Sequence, residues 1–205
     1  MRVFFISPGR TATTTLAKSF GQIKSLTSGH ESNVKNRLGD RVIYPDNHVE
    51  ADNRLLFFMP QLTERYGETE LLVIIERNRA EIANSYRKRW WKFNLPKIFA
   101  QGILMRDVKE NDDKLVDDMV DWAYEQIHYF SKDWKNVITI KFDEIPKNLD
   151  QIFDFLKLSQ NECLQVKEFF EQKIENKNEN GISRIVHVLL FNLRNTIWDI
   201  KSLLR

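Results

Sequence analysis

Residues 2–16, RVFFISPGRTATTTL, change hydrophobic period partway along. Arg2 to Ile6 is a β-branched and aromatic run ended by Ser7-Pro8-Gly9, which predicts a buried strand. From Thr11 to Phe20 the apolar residues Leu16, Ala17 and Phe20 recur at helical spacing, and Gly21 closes the segment. A strand, a short loop and a helix in immediate succession open an α/β fold.

The rest of the chain repeats the alternation. Ile23–Thr27 is a second strand candidate, running into the polar loop Ser28-Gly29-His30-Glu31-Ser32, and Arg41–Tyr44 is a third. A helix is expected over Arg54–Arg65, kinked at Pro60 and ended by Gly67. Leu71–Ile75 is the clearest strand, since a continuous apolar run suits a parallel sheet covered on both faces. Helices follow at Ala80–Lys92 and Asp113–Ser131. Val137–Ile140 is the last strand, and helices at Leu149–Leu156 and Asn161–Gln172, a polar loop at 175–181 and a helix over 183–204 complete the chain. The expectation is one 205-residue domain: a three-layer α/β/α fold with a central, mostly parallel sheet and a P-loop-like strand–loop–helix at its start. Ligands bind at the carboxyl ends of such strands, here the loops after Ile6, Thr27, Tyr44 and Ile75.

Composition narrows the classes. The chain is 42% hydrophobic and 29% charged, ordinary for a globular protein, and its net charge of +2 does not mark a nucleic-acid binder. One cysteine, Cys163, offers neither an internal disulfide nor a thiolate metal cluster. The apolar run Val3–Ile6 is too short for a signal peptide or a spanning helix, so a cytoplasmic protein without a transmembrane segment is expected.

Two loops carry chemistry. Gly9, Arg10, Thr11, Ala12, Thr13 and Thr14 stand where unpaired backbone N–H groups and the positive end of a helix dipole face outward, an arrangement that binds phosphate or sulfate. Gly9 and Ala12 let the backbone approach, while Thr13, Thr14 and Arg10 add donors. A nucleoside-triphosphate P-loop needs a lysine before its Ser/Thr, and Ser7–Thr15 contains none. The plainer alternative is a helix start capped by threonines. After Ile75, Arg77 leaves the strand and Ser85 follows on the next helix; together they suit a second phosphate. Read apart, Arg77 is a surface ion-pair partner of Glu76 or Glu81, and Arg87-Lys88-Arg89 a solvated basic face.

These two loops resemble the PAPS-dependent sulfotransferase family, which transfers a sulfuryl group from 3′-phosphoadenosine 5′-phosphosulfate. Ser7–Thr15 is similar to that family's 5′-phosphosulfate loop, P-[KR]-S-G-T-T, with Thr11 for the usual serine and Ala12 for the usual glycine. Residues 76–86, ERNRAEIANSY, resemble its 3′-phosphate segment, R-[DN]-P-x-[DE]-x-x-x-S-Y, with Arg79 at the frequent proline. Residues 137–156, VITIKFDEIPKNLDQIFDFL, are similar to its late strand, acidic turn and short helix, so the likeness spans residues 2–157. The family's K-G-x-x-G-x-W-like loop has no clear counterpart, and Lys177 in Asn176-Lys177-Asn178 stands in for it. Residues 47–55, NHVEADNRL, resemble an acceptor-side stretch of small bacterial carbohydrate sulfotransferases.

The resemblance implies in-line transfer to an acceptor hydroxyl, a carbohydrate or other small molecule, leaving 3′-phosphoadenosine 5′-phosphate and using no metal. A base is then needed. Glu31 is favoured, with His30 as helper or alternate and His48 third; Arg10 stabilises charge, and His48, Asp52 and Asn53 face the acceptor. The alternatives are loop or turn histidines, and helix-capping roles for Glu31 and Asp52. Trp90 and Trp91 either pack in the core or stack on a sugar. The apolar stripe of 182–205 leaves burial, homodimerisation and peripheral membrane contact open. Two rival functions stand beside this one: a P-loop kinase or hydrolase, and a non-catalytic relative that binds a nucleotide or a partner protein.

Overall fold

The computed structural model describes residues 1–90, 94–106 and 112–172. The elements run β1 (Arg2–Ile6), α1 (Thr13–Phe20), β2 (Thr27–Gly29), a 3₁₀ turn (Leu38–Val42), β3 (His48–Ala51), a 3₁₀ segment (Asn53–Phe58), α2 (Met59–Tyr66), β4 (Leu71–Glu76), α3 (Arg79–Arg87), α4 (Leu95–Ile98), a π-helical turn (Phe99–Ile103), α5 (Asp113–Ser131), β5 (Asn136–Lys141), a 3₁₀ turn (Phe142–Lys147), α6 (Asp150–Leu156) and α7 (Gln160–Gln172). They fall into two compact units, residues 1–82 with 120–172 and the described part of 83–119. Lys177, the loop at 175–181 and the helix expected over 183–204 lie outside the described residues.

The first unit is a three-layer α/β/α fold around a five-stranded sheet of order β2-β3-β1-β4-β5. Every neighbouring pair is parallel. Alternation along the strands sorts side chains between the layers. Val3, Phe5, Leu71, Val73 and Ile75 join Leu16, Ala17 and Phe20 of α1, Ile152, Phe153 and Leu156 of α6, and Val166 and Phe170 of α7 in one core. Phe4 points the other way and meets Tyr44, Tyr66 and Trp134 at ring-centroid distances of 5.3, 5.0 and 6.1 Å. Full burial of Phe4 stabilises the fold by about 1.5–3 kcal/mol.

The strand order locates the ligand edge. From β1 the chain crosses toward β2, and from β4 it crosses toward β5, so the two connections leave neighbouring strands in opposite directions. Right-handed crossovers then place α1 on one face and α2 with the later turns of α5 on the other. The crevice of such a sheet opens where those directions diverge, here between the carboxyl ends of β1 and β4.

Several elements differ from the sequence expectation. Residues 23–26 are not a strand, with a turn at Lys24 and Ser25, and β2 begins at Thr27. Arg41–Tyr44 is not a strand: Arg41 and Val42 belong to a 3₁₀ turn, and the third strand is His48–Ala51. That strand escapes an apolar-pattern reading because His48 and Glu50 are buried polar residues satisfied by partners distant in sequence. The ligand-edge loops consequently follow Gly29 and Ala51 rather than Thr27 and Tyr44. The helix expected over Arg54–Arg65 is a 3₁₀ segment followed by α2, with Pro60 in the first turn, where its missing N–H costs nothing. The first helix starts at Thr13, and Ala12 is left-handed with φ 57°.

In the second unit, Ala83, Tyr86, Trp90, Leu95, Phe99, Leu115, Val116 and Met119 are buried. Lys97 is also fully buried; its Nζ donates to the Trp90 carbonyl and lies 5.2 Å from the centroid of the Trp90 ring. Trp90 is thus a packing residue, and Arg87 pairs with Asp117 at 2.7 Å. Trp91 lies outside the described residues. Among the described residues, no helix is long and apolar enough to cross a membrane.

Candidate functional site

The loop after β1 has an unusual backbone. Gly9 (φ 92°), Arg10 (φ 63°) and Ala12 (φ 57°) all lie in the left-handed region. Glycine adopts it freely; the other two pay a conformational cost that local bonding must offset. Ser7 supplies that bonding: its Oγ accepts from the Gly9 N–H at 3.0 Å and lies 2.6 Å from Thr11 Oγ1. The Thr11 hydroxyl is buried and committed inward, so Thr11 can offer a ligand only its backbone. Ala12 caps α1 without a side-chain bond, and the first turn holds no acidic residue. Its N–H groups and dipole are thus not answered by a carboxylate of that turn. A left-handed residue followed by a helical one also turns successive N–H groups into one concavity, a nest that suits an anion.

Arg77 comes to the same place from the next strand. Its Nη1 donates to the Arg10 carbonyl at 2.7 Å, and its Nε donates to Glu81 at 3.0 Å. Its guanidinium lies 4.3 Å from the centroid of the Phe142 ring. The Arg77 backbone N–H is anchored by Tyr124 Oη at 2.9 Å. The Glu81 pairing is the ion pair that the sequence left as the plainer reading of Arg77, and here it coexists with the bridge to the loop. Beside Arg77 lies a cavity of about 430 Å³ lined by residues 76–79, Tyr124, His128 and residues 141–143. Ligand pockets begin at about 300 Å³.

On the other side of the loop stands His30, immediately after β2. Its Nε2 lies 3.1 Å from Thr13 Oγ1 and 3.2 Å from Thr14 Oγ1. Burial pushes the imidazole pKa below its ordinary value, with the charges of Arg54 and Lys18 adding to the effect and Glu50 opposing it. The neutral ring therefore prevails at neutral pH, and in the tautomer protonated at Nδ1 its Nε2 can accept from a hydroxyl. Glu31 is left-handed (φ 56°) and its carboxylate is ion-paired with Arg54.

Beneath this turn Glu50 is fully buried. It accepts from the Ser32 N–H at 3.1 Å, from the Ser32 hydroxyl, and pairs with His48 Nε2 at 3.0 Å. A Cβ added to Gly29 would stand 2.7 Å from Glu50 Oε2 and 2.7 Å from Ser32 Cβ, so the turn sits directly on the carboxylate.

The other expected residues fall in different places. His48 opens β3, buried between Thr27 Oγ1 at 2.8 Å and Glu50, and stacked on Tyr44 at 5.2 Å. It lies at the amino end of its strand, opposite the ligand edge, and the structure does not bring it to the site. Asp52 is fully buried, ion-paired with Arg41, and accepts from the Arg54 N–H at 2.7 Å, which is the capping role. Burial pushes its carboxyl up against the pull of the Arg41 guanidinium. Asn53 is half-buried at the start of the following 3₁₀ segment. Ser85 belongs to the part of α3 assigned to the second unit and is half-buried.

Sequence reasoning missed Glu50, Arg54, Tyr124, Phe142 and Lys141. Glu50 carried a readable signal, since its alternation with His48 puts two polar residues on one face of a strand. Among the described residues no group of three or more His, Cys, Asp or Glu side chains is gathered to hold a metal ion. In the comparisons with known proteins, no family model and no curated protein matches the chain.

Proposed function

We propose that the chain is a sulfotransferase that binds PAPS along the carboxyl edge of its sheet and delivers the sulfuryl group to an acceptor hydroxyl. The observation that carries this reading is the Arg77–Arg10 bridge at 2.7 Å, which puts a forked cation against an anion-shaped loop. An uncapped helix start suits the 5′-phosphosulfate, and Arg77 suits the 3′-phosphate. The neighbouring cavity, about 430 Å³ with Tyr124 and Phe142 in its wall, has the size and aromatic character for a nucleoside. The donor set thus fits the nucleotide.

When bound, PAPS supplies an activated sulfuryl group. The backbone N–H groups of residues 9–14, with Arg10, Thr13 and Thr14, hold the sulfate and bridging oxygens and stabilise charge on the leaving phosphate. His30 Nε2 takes the acceptor hydroxyl proton as the acceptor oxygen bonds to sulfur and the sulfur–phosphate oxygen bond breaks. Its neutral, low-pKa state and its place beside Thr13 and Thr14 favour it over Glu31, whose carboxylate is engaged by Arg54. Glu31 is the alternate base. A carbohydrate acceptor and a cytoplasmic location belong to the same proposal and rest on the sequence.

The test is transfer of label from sulfur-labelled PAPS to a panel of mono- and oligosaccharides and small hydroxyl compounds. Labelled acceptor with release of 3′-phosphoadenosine 5′-phosphate is expected. Tight binding of that nucleotide with no transfer to any acceptor class would instead favour a non-catalytic binder.

A further inference from the structure

The cationic side chains lining the cavity beside β4 and β5 are not equivalent. Arg77 spends Nε on Glu81 and Nη1 on the Arg10 carbonyl. Arg79 is ion-paired with Asp121, and its guanidinium lies 5.2 Å from the centroid of the Tyr124 ring. His128 faces Glu76 at 3.5 Å. Lys141 differs: it is exposed, it lines the cavity, and among the described residues no carboxylate lies at ion-pair distance from it.

Its position follows from the sheet. Lys141 ends β5 opposite Glu76, which ends β4, and Arg77 is the next residue. Neighbouring strands lie about 4.8 Å apart, so the Lys141 backbone is one strand spacing from the segment that carries Arg77. Paired residues of a parallel ladder project to the same face, and the Glu76 carboxylate already turns to His128. The ammonium offers three donors on a flexible stem and lines the same cavity as the Arg77 fork, over the strand ends.

We infer that Lys141 is a phosphate-binding residue: with Arg77 it clamps a phosphate monoester on the 3′ side of the nucleoside in this cavity. This rests on the nucleotide reading above and assigns its second phosphate a ligand from the end of β5. The cavity carries opposing charges, Glu76 and Asp143. A single arginine with two of its donors committed answers a dianion poorly in that company, and a second cation raises selectivity for the phosphorylated nucleoside over the bare one.

The experiment is calorimetric titration of the full-length protein with adenosine 3′,5′-bisphosphate and with adenosine 5′-monophosphate. Lys141→Ala should weaken the bisphosphate about tenfold, equal to about 1.4 kcal/mol, and leave the monophosphate unchanged. Lys141→Arg should hold the bisphosphate within about twofold of the native protein, since charge and reach are kept. Lys141 is exposed, so both variants are expected to fold, and an unchanged melting temperature verifies it. An unchanged preference in Lys141→Ala overturns the inference while leaving the nucleotide reading standing. Equal weakening of both ligands overturns the 3′ assignment. Binding of neither ligand by the native protein removes the nucleotide reading itself, and the inference with it.

Discussion

Arg77 Nη1 donates to the Arg10 carbonyl at 2.7 Å, across 67 residues of sequence. The bond joins the end of β4 to the loop after β1, at the point where the sheet's connections diverge. It holds the guanidinium within reach of the loop's anion-facing backbone. The segment after β4 therefore braces the left-handed Arg10 and, in the proposed reading, also carries a charge for the nucleotide.

Replacing Arg77 separates these roles. Arg77→Ala should weaken nucleotide binding by about 10–100-fold, as the loss of a charge-assisted contact worth about 1.5–3 kcal/mol requires. Arg77→Lys should recover only part of that loss, because an ammonium cannot bridge to the carbonyl and the ligand with a fixed fork. Equilibrium binding of adenosine 3′,5′-bisphosphate to the three proteins measures it. Equal affinity across the series would contradict the role given to this side chain.

His30 should dominate the pH profile. Its pKa is lowered by burial, so the neutral base is present above a value under the ordinary 6.5, and activity should fall only as pH drops through that lower value. The same shift acts on stability. Below about 6.5 the unfolded chain's imidazole binds a proton that the folded one refuses, so stability falls with falling pH until the folded pKa is passed. His30→Gln should lower kcat by about 10²–10⁴-fold with nucleotide affinity retained, and should flatten this part of the stability profile. Glu31→Gln, which loosens only the Arg54 contact, should cost far less. A larger loss from Glu31→Gln than from His30→Gln reassigns the base.

Gly29 offers a test of the support beneath the base. A methyl group there would stand 2.7 Å from both Glu50 Oε2 and Ser32 Cβ. Gly29→Ala should cost about 1–3 kcal/mol of stability through overpacking and should displace His30 from Thr13 and Thr14. Denaturant unfolding gives the first quantity. The second reads out as a fall in kcat larger than any change in nucleotide affinity.

The pair of Arg41 and Asp52 is nearly inaccessible to water, with side-chain exposures of 3% and 0%. Breaking it by Asp52→Asn or Arg41→Met should destabilise by about 3–5 kcal/mol, because each leaves a buried charge without its partner. Replacing both by apolar residues should recover much of that loss. Equal costs for the single and double variants would show that the pair's charges are not what holds this corner.

How far the sequence reaches depends on where each element finds its partners. Strand β4 and helix α5 are legible because their burial is written in their own apolar residues: the Leu71–Ile75 run needs no knowledge of its neighbours, and the expected Asp113–Ser131 helix coincides with α5. Strand β3 is illegible for the converse reason. His48 and Glu50 are buried through Thr27 and Ser32, so the pattern shows polar residues where the sheet has an interior. The site divides in the same way. The loop after β1 and Arg77 are adjacent to clear strands, so their meeting at the ends of β1 and β4 is legible in the sequence. Lys141 and Tyr124 meet in a cavity that exists only once β5 and α5 are packed, and His48, expected after a strand ending at Tyr44, instead opens β3 at its amino end.

The most direct test of the nucleotide-binding edge is the shift in melting temperature produced by adenosine 3′,5′-bisphosphate compared with magnesium-ATP. At about 100 times its dissociation constant a ligand stabilises by about 2.7 kcal/mol, a clear displacement for a chain of this size. The bisphosphate is expected to produce that shift and magnesium-ATP little or none, since residues 7–15 carry no lysine to engage a γ-phosphate. A strong response to magnesium-ATP with none to the bisphosphate would contradict the account.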